Sequence, residues 1–274
     1  MASELADHVN KMVKEIFTEF KVEQLVRSDV THYIISHGET RCLQIMFSDN
    51  FSILHINKLA TCGDTASGRN GKSLMELMDR LAASIPNLKY IELQDASELV
   101  FCGMVSIDLA HLKILTSKNA ESWYGSLGYK SPTDEADKIN NQIVRNMTVD
   151  EAFSYGILHP SEYDSYKAQK MKLFGHLETD KMLVKDYVNA IFNSIREFKN
   201  PHKCTLNEIE KSTFVHTTIN ALGKLLIHGG KECHQQSPIL KKPIRTGFGG
   251  RGTKRKRRAS RKRASRKRSK SRRN

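Results

Sequence analysis

The sequence predicts an α/β (α+β) fold in which a mixed sheet with flanking helices precedes a helical region and a basic tail. Short β-type segments alternate with turn residues in the first half of the chain. Apolar residues at three-to-four spacing, with helix-capping signals, follow residue 131. Lysine and arginine crowd the last 24 residues. We therefore expect a sheet domain over 1–131, a helical region over 132–230, and a linker with a disordered tail over 231–274.

Hydrophobic periodicity places the elements of the sheet domain. Apolar residues at helical spacing predict one amphipathic helix over 4–27, and the Gly- and Ser-containing stretch 61–70 predicts a loop. Segment 98–115 is apolar and fits either a helix or strands. The remaining predicted elements are strands at 31–36, 40–47, 51–59 and 88–93, and helices at 72–84 and 119–127.

Capping signals define the helical region. Thr148 with Glu151, and Thr205 with Glu208, have the spacing of a capping box, in which each residue bonds the other's backbone N–H. Ser131 followed by proline predicts a further helix start. Residues 231–253 are polar and then contain proline and glycine, so they are predicted to be a linker.

The charge of the chain is concentrated in its tail. The formal net charge is +14, but residues 251–274 contain 15 Lys/Arg and no Asp/Glu. The preceding residues hold 29 basic and 30 acidic side chains, a net of −1. The body therefore need not contact phosphate, whereas the tail is expected to bind polyanions.

Cysteine usage and hydropathy point to a soluble intracellular protein. The five cysteines are scattered and include no CxxC pair, so we expect neither a disulfide framework nor a zinc site. The N-terminus lacks the apolar core of a signal peptide. No apolar run approaches the roughly 18 residues that span a bilayer, and no membrane partner is expected.

Residues 119–129 carry the most specific motif, Asn-Ala-Glu-Ser-Trp-Tyr-Gly-Ser-Leu-Gly-Tyr. This stretch resembles the Asn-Ala-x-x-aromatic-Tyr-x-x-Leu-Gly-aromatic motif of the GCN5-related N-acetyltransferase (GNAT) superfamily. The resemblance covers roughly residues 30–131. It implies a GNAT-like mixed sheet, acetyl-CoA as cofactor and transfer of an acetyl group to an amine.

A loop at a helix start is the second element of this resemblance. Gly-rich loops at helix N-termini present free N–H groups and a positive dipole end to a pyrophosphate. The family's Q/R-x-x-G-x-G/A loop is matched in part, with Gly71 at the central glycine, Ser73 where Gly or Ala is usual, and Gly68 where Gln or Arg is usual. The resemblance implies that the cofactor contacts Gly68, Arg69, Asn70, Gly71, Lys72, Ser73 and Asn119.

The resemblance also implies catalytic roles. In this family the amine attacks the thioester directly, a base takes its proton, and a tyrosine can protonate the leaving thiolate. Tyr124 is the candidate acid. The strand before the loop, 51–59, contains no Asp or Glu, so His55 is the candidate base there. Glu92 and Asp95, on the next strand and at its end, are the substitute candidates for the base, and Glu92 is taken as a catalytic residue with His55 and Tyr124.

Other interpretations of these residues remain open. Trp123 and Tyr129 are also typical core aromatics, and Gly128 suits a left-handed helix C-cap. Residues 66–73 also fit a permissive Walker A pattern with Ala66 in the first position, which would indicate an NTPase.

The tail has no aromatic or aliphatic anchor, so it is expected to stay extended and to bind nucleic acid without sequence preference and with strong salt dependence. Compact chains with such tails resemble proteins of large DNA viruses, and a nuclear or virion location is expected. The candidate contacts are Lys254, Arg255, Lys256, Arg257, Arg258, Arg261, Lys262, Arg263, Arg266, Lys267 and Arg268.

Two functions follow from this combination. The first is an acetyl-CoA-dependent N-acetyltransferase tethered to nucleic acid by its tail. The alternative is a non-catalytic nucleic-acid-associated or packaging protein on a degenerate GNAT scaffold.

Overall fold

The computed structural model describes residues 2–27, 30–48, 50–60, 71–155, 157–175, 181–198, 204–232 and 238–244. Within them the chain is a mixed α/β protein with a mainly antiparallel sheet flanked by helices, which confirms the expected fold class at this level. The predicted tail lies outside the described residues.

Six strands form the main sheet in the order β1-β2-β3-β4-β5-β10. All neighbours are antiparallel except β4 and β5, which are parallel and connected through helix α2. The elements of this part are α1 (Ala2–Ile16), β1 (Lys21–Arg27), β2 (Val30–His37), β3 (Thr40–Phe47), β4 (Ile53–Leu59), α2 (Gly71–Ser84), β5 (Tyr90–Gln94) and β10 (Ile239–Pro243).

The prediction of one helix over 4–27 is wrong in its second half. Helix α1 ends at Ile16, and β1 pairs with β2 along its whole length, from Lys21 opposite Ser36 to Arg27 opposite Val30. Within β1, Val22 packs against the core whereas Leu25 and Val26 are exposed. The helical spacing of apolar residues in this segment is therefore coincidental, and pairing with β2 gives the segment its strand conformation.

One face of the sheet is apolar and is covered by helices. Side chains of alternating strand positions, such as Ile35, Ile45 and Ile91, form a buried cluster with α1 and α2. His8 Nε2 lies 3.1 Å from the carbonyl oxygen of Ser84 and ties the two helices together. The side chains between these positions lie on the opposite face of the sheet, where polar residues such as His55 and Glu92 lie beside apolar ones such as Ile34 and Met46. We call it the polar face.

The ambiguous segment 98–115 forms a hairpin and a helix, and six further helices follow among the described residues. Capping boxes at Thr148 and Thr205 are confirmed, whereas the helix after Ser131 begins two residues later, with Thr133 at its N-cap. The elements are β6 (Glu98–Phe101), β7 (Val105–Asp108), α3 (Leu109–Thr116), α4 (Trp123–Ser126), α5 (Asp134–Asn146), α6 (Val149–Ser154), α7 (Pro160–Phe174), α8 (Val184–Ile195) and α9 (Leu206–Gly223).

A second core belongs to this helical region. Helices α8 and α9 contribute buried residues such as Tyr187, Ile191 and Phe214, and β7 and α3 add Ile107 and Leu115. The described residues thus form two apolar clusters, the second of which begins at β6.

The segment predicted as linker is ordered where it returns to the sheet. Residues 227–228 and 231–232 form the short strands β8 (Ile227–His228) and β9 (Lys231–Glu232), and β10 pairs with β5 from Ile239 opposite Gln94 to Pro243 opposite Tyr90. Only Leu240 of β10 reaches the core, so one buried side chain among polar ones was too weak a signal for sequence analysis.

The expectation of no disulfide is also wrong for three cysteines. Cys102 and Cys204 form a disulfide with their Cα atoms 5.6 Å apart, and Cys42 is disulfide-bonded as well. The bond joins the β6–β7 turn to the residue that precedes the N-cap of α9, 102 positions along the chain. Sequence spacing could not reveal a pair that only the tertiary fold brings together.

Gly223 at the end of α9 is predicted to tolerate no side chain. A Cβ added there would lie 2.6 Å from Nδ1 of His111, which is itself buried. We expect Gly223→Ala to lower the free energy of unfolding by about 1–3 kcal/mol in urea denaturation, because overpacked cores shift side chains and backbone. Gly125→Ala, whose nearest contact would be 3.4 Å, is the control and should change stability by less. Equal stability of the two variants would contradict this packing argument.

No helix among the described residues is both long and apolar enough to cross a membrane.

Candidate functional site

The parallel strand pair β4–β5 is the centre of the candidate site. The two strands pair from Ile53 opposite Tyr90 to Ile56 opposite Leu93. Beyond these residues β4 continues only with β3, and β5 continues only with β10. The sheet therefore opens at the carboxyl ends of two parallel strands, which is where open α/β sheets bind ligands.

Helix α2 begins beside this opening. Its first residue is Gly71, and its first turn contains Lys72 and no acidic residue, so its positive dipole end is uncompensated by carboxylates. Of the predicted cofactor-binding residues, Gly71, Lys72 and Ser73 form this first turn. Gly68, Arg69 and Asn70 lie outside the described residues, and so does most of the alternative Walker A loop.

The two sequence motifs meet at Gly71. A Cβ added there would lie 3.2 Å from Cη2 of Trp123, so the indole packs directly on the start of α2, with Leu59 close by. An alanine at this position would require the indole to shift by a few tenths of an ångström. Asn119 is exposed in the turn after α3, four residues before α4.

His55 and Glu92 form a cross-strand pair on the polar face of the sheet. They are direct partners in the β4–β5 register, and His55 Nδ1 lies 2.9 Å from Glu92 Oε2. The other oxygen of Glu92, Oε1, is 2.9 Å from Nζ of Lys241, the partner of Glu92 on β10. The hydrogen bond to Glu92 raises the pKa of Lys241, which holds the ammonium in its charged form. One carboxylate thus binds an imidazole and an ammonium at once.

A surface cleft of about 250 Å³ adjoins this group. Its lining combines His55 and Glu92 with Asn57 and Gln94, at the opening of the strand pair, and with Ile239. The side chain of Glu92 is only 16% exposed and that of His55 27%, so the pair is shielded but can be reached from the cleft.

Tyr124 lies on the other side of the sheet. It belongs to the apolar cluster under α1 and α2, whereas strand alternation places His55 and Glu92 on the polar face. Burial, and secondly the charge of Asp95, raise the pKa of Tyr124. The structure therefore brings two of the three predicted catalytic residues together and separates the third by the thickness of the sheet.

Asp95, directly after β5, has a fully buried side chain with two partners. Its Oδ2 is 3.1 Å from Nε2 of His228, and its Oδ1 accepts a hydrogen bond of 3.2 Å from Ser97. His228 comes from the β8–β9 hairpin, so this contact joins the strand end to the helical region. Sequence analysis named Asp95 only as a substitute base, and the structure uses it to hold these two parts together.

The structure confirms that Tyr129 is a core aromatic residue, the interpretation that was left open for it. It is 1% exposed, its ring lies 6.2 Å from that of Tyr124, and its hydroxyl has no hydrogen-bond partner among the described residues. Gly128 has a φ of +91° just after α4, the left-handed conformation expected of a helix C-cap glycine.

Sequence analysis missed Lys241 and His228. Both lie more than 130 positions from the carboxylates they contact, Glu92 and Asp95, and neither stands in a motif. No signal in the sequence could have found them. The described residues contain no cluster of three or more potential metal ligands.

Comparisons with family models, curated proteins and solved structures give no match to this chain.

Proposed function

We propose that the chain is an acetyl-CoA-dependent N-acetyltransferase that its basic tail holds near nucleic acid. The observation that carries the proposal is the His55–Glu92 pair, placed beside the opening of a parallel strand pair and next to a helix start. The resemblance of residues 119–129 to the GNAT superfamily supports it further, because Trp123 of that motif packs on the glycine of the candidate cofactor loop.

His55 is the proposed general base. With Nδ1–H donating to Glu92, the neutral imidazole keeps the lone pair of Nε2 for the proton of an incoming amine. Glu92 fixes this tautomer and stabilises the imidazolium that forms, as in other pairs of base and orienting carboxylate. The amine nitrogen then forms a bond to the acetyl carbon as the C–S bond of the thioester breaks.

Tyr124 is the proposed acid for the thiolate. The Tyr124 phenol is protonated near neutral pH, and burial raises its pKa further, which makes it a weaker donor than an exposed tyrosine. Because Tyr124 and His55 lie on opposite faces, the thioester would be positioned at the strand ends between them, where β4 and β5 separate.

The first turn of α2 is the proposed pyrophosphate site. Gly71, Lys72 and Ser73 form the first turn of α2, which contains no acidic residue, and the exposed ammonium of Lys72 adds a positive charge to the helix N-terminus. Acetyl-CoA supplies the activated acetyl group when bound.

The tail supplies the second half of the proposal. Its 15 basic residues would bind phosphates by releasing counterions, which needs no base-specific contact. A nuclear or virion-associated location fits this binding, and the acetyl acceptor would be an amine close to the bound nucleic acid.

Isothermal titration with acetyl-CoA is the direct test of the cofactor site. We expect binding in a chain that ends at Gly250, because all described elements, including β10, precede that residue and the tail alone would bind any polyphosphate. Lys72→Glu should weaken binding at least about tenfold, since a carboxylate at the helix start repels phosphate. It leaves the contact between Gly71 and Trp123 intact.

Lys89→Glu is the matched control, because Lys89 is also exposed and lies on the connection from α2 to β5. Equal affinities of the two charge variants would place the cofactor elsewhere. No binding at millimolar acetyl-CoA would reject the enzyme and favour the non-catalytic, nucleic-acid-associated alternative.

A further inference from the structure

The side of the main sheet opposite α1 and α2 carries the proposed catalytic pair together with side chains of all six strands. Cross-strand partners point to the same face, so the registers define rows of neighbours across it. The longest row is Leu25–His32–Met46–His55–Glu92–Lys241, and on one side of it follow Glu23–Ile34–Gln44–Lys58 and Lys21–Ser36–Arg41, in which Ile34 and Ser36 are buried. On its other side lies the row Ile53–Tyr90–Pro243. We call this surface the open face.

Positive charge is enriched on the open face. Its rows contain four Lys/Arg (Lys21, Arg41, Lys58 and Lys241) and two carboxylates (Glu23 and Glu92). This excess contrasts with the net of −1 over residues 1–250. Two imidazoles in the longest row, His32 and His55, add further hydrogen-bonding capacity.

Three of these cations lie together at one corner. Lys21 and Arg41 flank Ser36 in one row, and Lys58 ends the next row. All three side chains are exposed. Lys21 bonds Glu23 at 2.6 Å and, with a smaller contribution from Arg41, lowers the pKa of that carboxyl, so the corner keeps two cations in excess.

An aromatic ring lies at the other end of the open face. Tyr90 begins β5, and Lys241 Nζ lies 5.3 Å from the centre of its ring, which places a cation beside a planar surface. Rings and cations on a flat sheet suit unpaired bases and their phosphates, because each base has a face that can stack. A duplex would instead require a projecting element that enters a groove.

The tail leaves the molecule from the edge of the same sheet. β10 is an edge strand and ends at Pro243, and the first tail cation is Arg251. The seven residue steps from Ile244 to Arg251 can span at most about 25 Å, about the width of six strands. A polyanion held by the tail can therefore continue onto the open face.

We infer that the open face binds single-stranded nucleic acid, with the cationic corner Lys21, Arg41 and Lys58 holding phosphates and Tyr90 stacking on a base. This inference concerns the same sheet as the proposed catalysis but needs no cofactor. It adds a binding surface of the folded body to the nonspecific binding expected of the tail.

Salt dependence of oligonucleotide binding tests this inference in the full chain. The measurement is fluorescence anisotropy of a labelled oligothymidylate of about 20 nucleotides, between about 50 and 200 mM salt. The triple variant Lys21→Gln, Arg41→Gln, Lys58→Gln should reduce the magnitude of the slope of log K against log salt by about 2, since each single-strand phosphate contact contributes about 0.7. No acetyl-CoA is present, so failure here is separate from failure of the enzyme proposal.

The matched control removes the same charge elsewhere. Lys14, Lys118 and Lys181 are exposed and lie off the open face, and their replacement by Gln should leave the slope nearly unchanged. Equal slopes for the two triple variants would overturn the inference. An equal defect on a duplex of the same length would overturn the assignment to single strands.

Tyr90 gives a second and independent measurement. Tyr90→Leu should weaken oligothymidylate binding about fivefold or more, whereas Tyr90→Phe keeps the stacking ring and should bind like the unmodified chain. Circular dichroism establishes that both variants fold. Equal affinities of the Leu and Phe variants would remove the stacking role.

Discussion

Replacing His55 with Gln is expected to lower kcat for acetyl transfer to an amine by about 10²- to 10³-fold, the usual contribution of a positioned general base. Glutamine retains a hydrogen bond to Glu92 but cannot accept a proton. The affinity for acetyl-CoA should stay unchanged, because the proposed cofactor contacts lie at the start of α2. Steady-state kinetics with an amine acceptor, paired with acetyl-CoA titration, measures both quantities.

His32 provides the control for this experiment. It lies in the same row of the open face, two strands away, and is also a partly buried histidine. His32→Gln should leave kcat within about twofold, since only the base that contacts the amine affects proton transfer. Equal activity of the His55 and His32 variants would exclude His55 as the base and leave the His55–Glu92 pair as a structural contact.

The Cys102–Cys204 disulfide is expected to produce the largest stability effect. Cys102→Ser should lower the free energy of unfolding by about 4 kcal/mol in the absence of reductant, because a cross-link that closes a loop of about 100 residues restricts the unfolded chain strongly. Urea denaturation with and without dithiothreitol is the measurement.

Adding reductant distinguishes the effect of the disulfide cross-link on stability from the effect of the serine substitution on packing. In dithiothreitol the unmodified chain should lose most of the stabilisation that the disulfide gives the oxidised form. Its free energy of unfolding should then nearly equal that of the serine variant. A chain whose stability does not depend on reductant would show that the cysteines are unpaired in solution, as the sequence had led us to expect. The same measurement therefore bears on the expected reducing compartment.

The local elements were largely predictable because their signals are local. The capping boxes at Thr148 and Thr205, the helix from Gly71 and the strands before it follow from neighbouring residues. The exception is 17–27, where the same apolar residues satisfied a helical template and formed an edge strand. In this segment the pairing with β2 determined the strand conformation. A short window of sequence does not show which distant strand a segment will pair with.

The candidate site shows the same division. His55, Glu92 and Tyr124 were named from residue type and from the resemblance, but the sequence placed them in one group. Tyr124, in α4, packs in the core on the covered side of the sheet, whereas strand alternation puts the His55–Glu92 pair on the open face. Lys241, which completes that pair, comes from a segment predicted to be a linker.

By itself, the sequence determined the fold class, the basic tail, most helices and strands, and the identity of the candidate catalytic residues. Only the tertiary structure decided the disulfide, the return of β10 to the sheet, and the contacts of Glu92 and Asp95 with residues over 130 positions away. The physical reason is range: capping, periodicity and turns depend on neighbours in the chain, whereas disulfides, sheet edges and ion pairs depend on which distant segments bury their apolar sides together.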